Sequence, residues 1–165
     1  MIFCFCLPSS DWIAIASLIV TTGIGIWIGC VVQKNLTTVR SVKDYFIQEI
    51  KDIRHLYMVF FNDLHNGKKS ANGIKDWLKI MSNRLDIIEK SMVQYFKVDE
   101  KDISIKNIHS ELQVYITGTD DFNDNYRKET IQFGEPVKNE VLRIHSQIIG
   151  QLLSNIIKIN EAKKR

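Results

Sequence analysis

Between Trp12 and Gln33 the chain reads WIAIASLIVTTGIGIWIGCVVQ, 22 residues without one charged side chain. At a helical rise of about 1.5 Å per residue such a run is about 33 Å long, against a bilayer hydrocarbon core of about 30 Å. A core helix of a small domain is shorter and keeps a polar face, whereas this run is apolar on every side. Ser9, Ser10 and Asp11, just after Pro8, are helix-capping types at the expected start. Trp12 sits where an interfacial aromatic anchors, and Lys34 opens the other side. A cleaved secretory signal has a basic leading segment and a shorter apolar core, and both are missing. Gly29-Cys30 fits a lipoprotein signal, but Trp27 stands where an aliphatic residue is usual. The run predicts an uncleaved single transmembrane helix over 12–33, preceded by a short extracytoplasmic N-terminus, 1–11.

Charge is distributed to match. Residues 1–33 hold no Lys or Arg and one acid, Asp11, while the other 40 charged residues lie in 34–165. Lys34, Arg40, Lys43, Lys51 and Arg54 follow the run closely, so the positive-inside rule places residues 34–165 in the cytoplasm and the N-terminus outside. Cys4, Cys6 and Cys30 all belong to the apolar part, which leaves the body without a thiol, as a reducing compartment permits. The body carries a net charge of +4 with its acids interleaved. That is no basic stripe, and nucleic acid is not expected as a partner.

Within the run, Ser17, Thr21, Gly25 and Gly29 recur every four residues. Small side chains at that spacing form one ridge along a helix, and in lipid, where packing decides association, two such ridges approach closely. These four residues are the expected helix-packing site, with a second copy or another membrane helix opposite.

The body carries four apolar seams spaced alternately by three and four. They are Phe46, Ile50, Ile53, Tyr57, Phe60, Leu64; Ile74, Leu78, Met81, Leu85, Ile88, Met92, Tyr95; a weaker one from Ile108 through Leu112, Tyr115 and Phe122 to Phe133; and Val137, Val141, Ile144, Ile148, Leu152, Asn155, Ile159. This is the period of helices crossing near 20° in bundles. Breakers fall between them at Asn66-Gly67 and Asn72-Gly73, at Val98–Lys101 and at Gly134-Glu135-Pro136. Helices of about 25–30 residues joined by short loops predict an all-α antiparallel four-helix-bundle-like cytoplasmic domain over 34–165. Asn35–Thr38 and Ser41-x-x-Asp44 offer breaks between the apolar run and the first body helix. In such a bundle the last helix returns toward the membrane, where Lys34, Lys163, Lys164 and Arg165 would meet anionic headgroups. The same C-terminal cations also suit a helix end facing water.

Chemistry is sparse. Asp52-x-x-His55 is a lone half of a dinuclear metal pattern, and the other histidines read as isolated residues on helix surfaces or flanks. Asp121-x-Asn123-x-Asn125 starts like a calcium loop but has Tyr126 where glycine is required and Gln132 where a bidentate Glu is required. No nucleophile elbow or phosphate loop is present, so no catalytic, cofactor or metal residue is nominated. Tyr57, Phe61 and Trp77 make the first two helices apolar beyond one face. They either widen the core or form a docking surface for a cytoplasmic protein. The expectation is a non-enzymatic, membrane-anchored interaction or assembly protein. The alternative is a membrane-perturbing effector of the bacterial toxin or defence type, which oligomerises on a trigger through the small-residue ridge.

Overall fold

A computed structural model describes the backbone of residues 9–162; the side chains of residues 9–16, 19, 28 and 31–36 lie outside the description. Six helices and no strand are present among the described residues: α1 Ser9–His65, α2 Ala71–Phe96, α3 Glu100–Ile103, α4 Lys106–Gly118, α5 Asp120–Asp124 and α6 Glu135–Glu161. The protein is all-helical. By its contacts it divides into two compact units, Met1–Val42 and Lys43–Arg165. α1 is helical through 35–44, where the sequence offered a break.

In the first unit, Leu18, Val20, Ile24, Ile26 and Trp27 are all exposed. Among the described residues no helix is long and apolar enough to cross a membrane. Of the run Trp12–Gln33, the side chains of 12–16, 19, 28 and 31–33 are outside that description.

The second unit is a four-helix arrangement of α1 (from Lys43), α2, α4 and α6. Phe46 meets Phe96 at 5.2 Å between ring centroids while Phe60 stacks on Trp77 at 3.7 Å, so α1 and α2 run antiparallel. Lys106 pairs with Asp86 while Lys75 reaches Tyr126 beyond α4, which sets α4 antiparallel to α2. Arg143 bonds Glu111 while Asn155 bonds Ile103, which sets α6 antiparallel to α4. The seams of α1 and α6 face inward as their spacing predicts: Phe46 through Leu64 and Val141 through Ile159 are buried. In α2 the last inward position is Phe96 rather than Tyr95, which is exposed.

The third segment departs from expectation. Instead of one long helix there are a four-residue helix, a 13-residue helix and a five-residue helix, followed by irregular chain to Gly134. The break is local chemistry. Thr119 leaves helical geometry at ψ 148°, and its Oγ1 accepts the N–H of Phe122, with Asp120 and Asp121 in the new first turn. The irregular stretch is then tied down. Ile131 N–H donates to the Lys69 carbonyl, Gly134 N–H to Asp121 Oδ2, and Tyr126 O–H to Asn72 Oδ1. Phe122, Ile131 and Phe133 are thereby buried although only Phe122 lies in a helix. Asn72-Gly73 is likewise not a loop but the first turn of α2, because Ser70 Oγ takes the Gly73 N–H at 3.1 Å.

Among the described residues, two adopt left-handed backbone: Gly67 at φ 59° ends the α1 turn, and Lys97 at φ 51° closes α2 with its N–H on the Val93 carbonyl. Only glycine holds that geometry without strain. Opposite effects are therefore expected by thermal denaturation: Gly67→Ala lowers stability by about 1 kcal/mol, and Lys97→Gly raises it by a few tenths to about 1 kcal/mol.

Candidate ligand cavity and the buried polar pins

Among the described residues of the second unit, three polar side chains are buried: His109, Glu89 and Asn155. Each must be satisfied there, because an unpaired buried polar group costs about 1–3 kcal/mol. His109, on α4, sits between α1 and α2. Its Nε2 is 2.9 Å from the Leu78 carbonyl and its Nδ1 is 2.7 Å from Tyr57 Oη. A carbonyl only accepts, so Nε2 carries the proton, and Nδ1 accepts from the Tyr57 hydroxyl. Burial pushes His109 below the ordinary histidine range and Tyr57 above the ordinary tyrosine range. Both are held neutral, in the state the relay needs.

Glu89 of α2 serves as a cap borrowed from another helix. Ile105, the residue before α4, gives no side-chain cap. Instead Glu89 Oε1 accepts the N–H of Ile105 at 2.5 Å and of Lys106 at 3.0 Å. A carboxylate at a helix N-terminus meets orphan donors and the positive end of the dipole. Burial raises its pKa, while the two backbone donors and Lys106 oppose that rise. Asn155 of α6 completes the set: its Nδ2 donates to the Ile103 carbonyl, and its Oδ1 accepts from Gln151. Gln151 and Lys158 both donate to the Asp102 carbonyl, so α6 caps the C-terminal end of α3.

Around the His109 relay lies an aromatic cluster. Trp77 lies flat on Phe60, with planes 3° apart, and edge-on to Tyr57 at 5.2 Å. Phe61 stacks on Tyr57 and reaches His145 of α6 at 4.1 Å. Of the three residues considered for docking, Tyr57 is enclosed in the core, and Phe61 and Trp77 are half-buried at its border. Nor are the histidines uniformly superficial: His109 is fully buried and His145 partly so, since each packs against aromatic rings. The signal for His109 was its place one residue after Ile108 and three before Leu112, in phase with Ile116.

Beside His145 is a cavity of about 270 Å³ between the end of α1, Phe133 and the start of α6. Phe61, Leu64, Phe133, Val141 and Leu142 supply apolar wall. His145 Nε2 is shut off from solvent and has no hydrogen-bond partner among the described residues. Burial, and then the nearby Arg54 charge, push His145 below the ordinary histidine range.

Ser17, Thr21, Gly25 and Gly29 are all exposed on the first unit, Thr21 Oγ1 donates to the Ser17 carbonyl, and a Cβ on Gly25 or Gly29 would meet nothing within 4 Å. Lys163, Lys164, Arg165 and the side chain of Lys34 lie outside the described residues. Asp121 Oδ2 accepts the Gly134 N–H, and the side-chain amides of Asn123 and Asn125 donate to the carbonyls of Thr119 and Asp121. No group of three or more metal-ligating side chains is assembled among the described residues. No protein-family model, curated protein or solved structure matches the chain.

Two outcomes follow. Glu89→Ala strands two backbone donors and should cost about 2–4 kcal/mol in urea denaturation, with Glu89→Gln, which keeps an acceptor, costing less than half as much. For His109, the folded pKa lies below the unfolded one, so its contribution is complete above pH 6.5, the ordinary value, and is lost as pH falls from there toward the folded pKa. His145 acts with the same sign. Unfolding free energy should therefore drop below pH 6.5, and His109→Gln should reduce that slope by up to one proton, about 1.4 kcal/mol per pH unit.

Proposed function

We propose that this chain is a membrane-anchored helical interaction and assembly protein without enzymatic activity, its apolar N-terminal helix in the bilayer and its bundle in the cytoplasm. The observation that carries the reading is the state of the first unit. Leu18, Val20, Ile24, Ile26 and Trp27 point to different sides of one helix, and all are exposed, Leu18 by 69% and Trp27 by 66%. An apolar surface that continuous calls for lipid or protein around it. The uncharged sequence of Trp12–Gln33 is long enough for lipid, and the cluster of Lys and Arg after it orients the body inward. In this reading the partners are the bilayer, a second copy or another membrane helix, and a cytoplasmic protein.

The ridge Ser17, Thr21, Gly25 and Gly29 is uncovered on that helix, which also supports a second reading. In it the chain is a membrane-perturbing effector of toxin or defence type, whose helices assemble on a trigger.

Light scattering of the full chain in nanodiscs or mild detergent tests both readings. Wild type is expected as an oligomer and Gly25→Ile/Gly29→Ile as a monomer with unchanged helical content. A wild-type monomer that does not associate with lipid sinks the anchored-assembly proposal. Vesicle leakage separates the readings: leakage abolished by the double substitution marks the effector, and intact vesicles mark the assembly protein.

A further inference from the structure

Among the described residues of the second unit, the cavity against His145 brings an apolar wall and a stranded polar atom together. Its volume, about 270 Å³, exceeds the roughly 150 Å³ that suffices for benzene. A substituted benzene ring therefore fits. Phe61 and Phe133 supply aromatic wall, and Leu64, Val141 and Leu142 supply aliphatic wall. Charge gives the second constraint. At the rim, Lys138 Nζ and Glu135 Oε1 are paired at 3.0 Å and cancel one another. Burial keeps His145 neutral, and Arg54, the cation that acts on it, does not line the cavity. His65, an exposed side chain at the end of α1, also borders the opening, and most of the remaining wall is apolar, so an ionised guest would lose hydration that this lining does not return and the occupant is uncharged.

The stranded atom gives the third constraint. His145 Nε2 is closed to solvent and has no hydrogen-bond partner among the described residues, and its ring lies against Phe61 at 43° between planes. A guest that offers a hydroxyl supplies the missing hydrogen bond, and a hydroxyl serves either tautomer because it both donates and accepts. The imidazole must turn about its Cβ–Cγ bond to present Nε2, and the new bond favours that rotamer.

We propose that this cavity binds a small uncharged aromatic molecule bearing one hydroxyl group, with the ring among Phe61, Phe133 and Val141 and the hydroxyl on His145 Nε2. The site lies wholly in the second unit and does not depend on the membrane reading.

The test uses the full chain in one detergent and a matched pair of probes, 4-ethylphenol and ethylbenzene, followed by NMR. Comparing each probe between wild type and variant cancels its partition into detergent. In wild type, 4-ethylphenol should give saturable shifts at the His145 imidazole and the Phe61 and Val141 signals. His145→Phe keeps the apolar packing and should weaken 4-ethylphenol about fivefold, the factor one hydrogen bond is worth, while changing ethylbenzene less than twofold. Val137→Trp, at a half-buried wall position, should remove binding of both. Helical content by circular dichroism accompanies each variant, and Leu142→Trp, at an exposed wall position, replaces Val137→Trp if that chain does not fold. Three results overturn the proposal: no saturable shift in wild type, 4-ethylphenol unaffected by His145→Phe, or binding that survives both wall substitutions.

Discussion

One imidazole joins three helices. His109 belongs to α4, takes a hydrogen bond from Tyr57 on α1, and gives one to the backbone of α2 at Leu78. Apolar seams drive these helices together, since burying a large side chain contributes about 1.5–3 kcal/mol, but a seam repeating every seven residues packs nearly as well when one helix slides by two turns. A buried donor and acceptor do not tolerate that slide, because both would be left unpaired in a low-dielectric interior. Polar pins of this kind set register, the best-attested role of buried polar groups in helical assemblies. Glu89 does the same for the start of α4, and Asn155 for the end of α3. Together the three pins tie α4 to α1 and α2, and α3 to α6.

That division of labour explains what the sequence revealed. The seam of α1 was legible in full and that of α6 from Val141 onward, Val137 being only half-buried, because Ile, Leu, Phe and Val at alternating three and four residues have one inward solution. Even Asn155 was caught, carried by its place in the α6 seam. The third segment was misread for two reasons. Counting apolar residues picked Ile108 as the inward position, whereas the buried one is His109, and no hydropathy pattern scores a histidine as core. The segment's second half looked helical because Phe122 and Phe133 lie in phase, yet Thr119 caps a new helix and side-chain bonds hold the rest as loop. Those bonds join residues far apart in sequence, and spacing along the chain does not encode them.

The candidate site was legible only in part. Phe61 stood out as an aromatic residue off the seam, and it borders the cavity. His145 gave no signal, because its significance is geometric: its Nε2 is stranded and its ring is set beside a chamber formed by α1, α6 and Phe133. The first unit is the reverse case. Its uncharged run and its small-residue ridge are evident in the letters alone. The two halves thus use opposite chemistry. The body satisfies His109, Glu89 and Asn155 internally and leaves His145 Nε2 without a partner among the described residues, while the N-terminal helix presents exposed Leu18, Val20, Ile24, Ile26 and Trp27.

The most direct test of the pinned-bundle account is the protonation pattern of His109, read from long-range proton–nitrogen correlations in the full chain at neutral pH. The relay requires a neutral ring with the proton on Nε2 and a bare, hydrogen-bond-accepting Nδ1. A proton on Nδ1, or a ring that titrates at the ordinary histidine value, would contradict it.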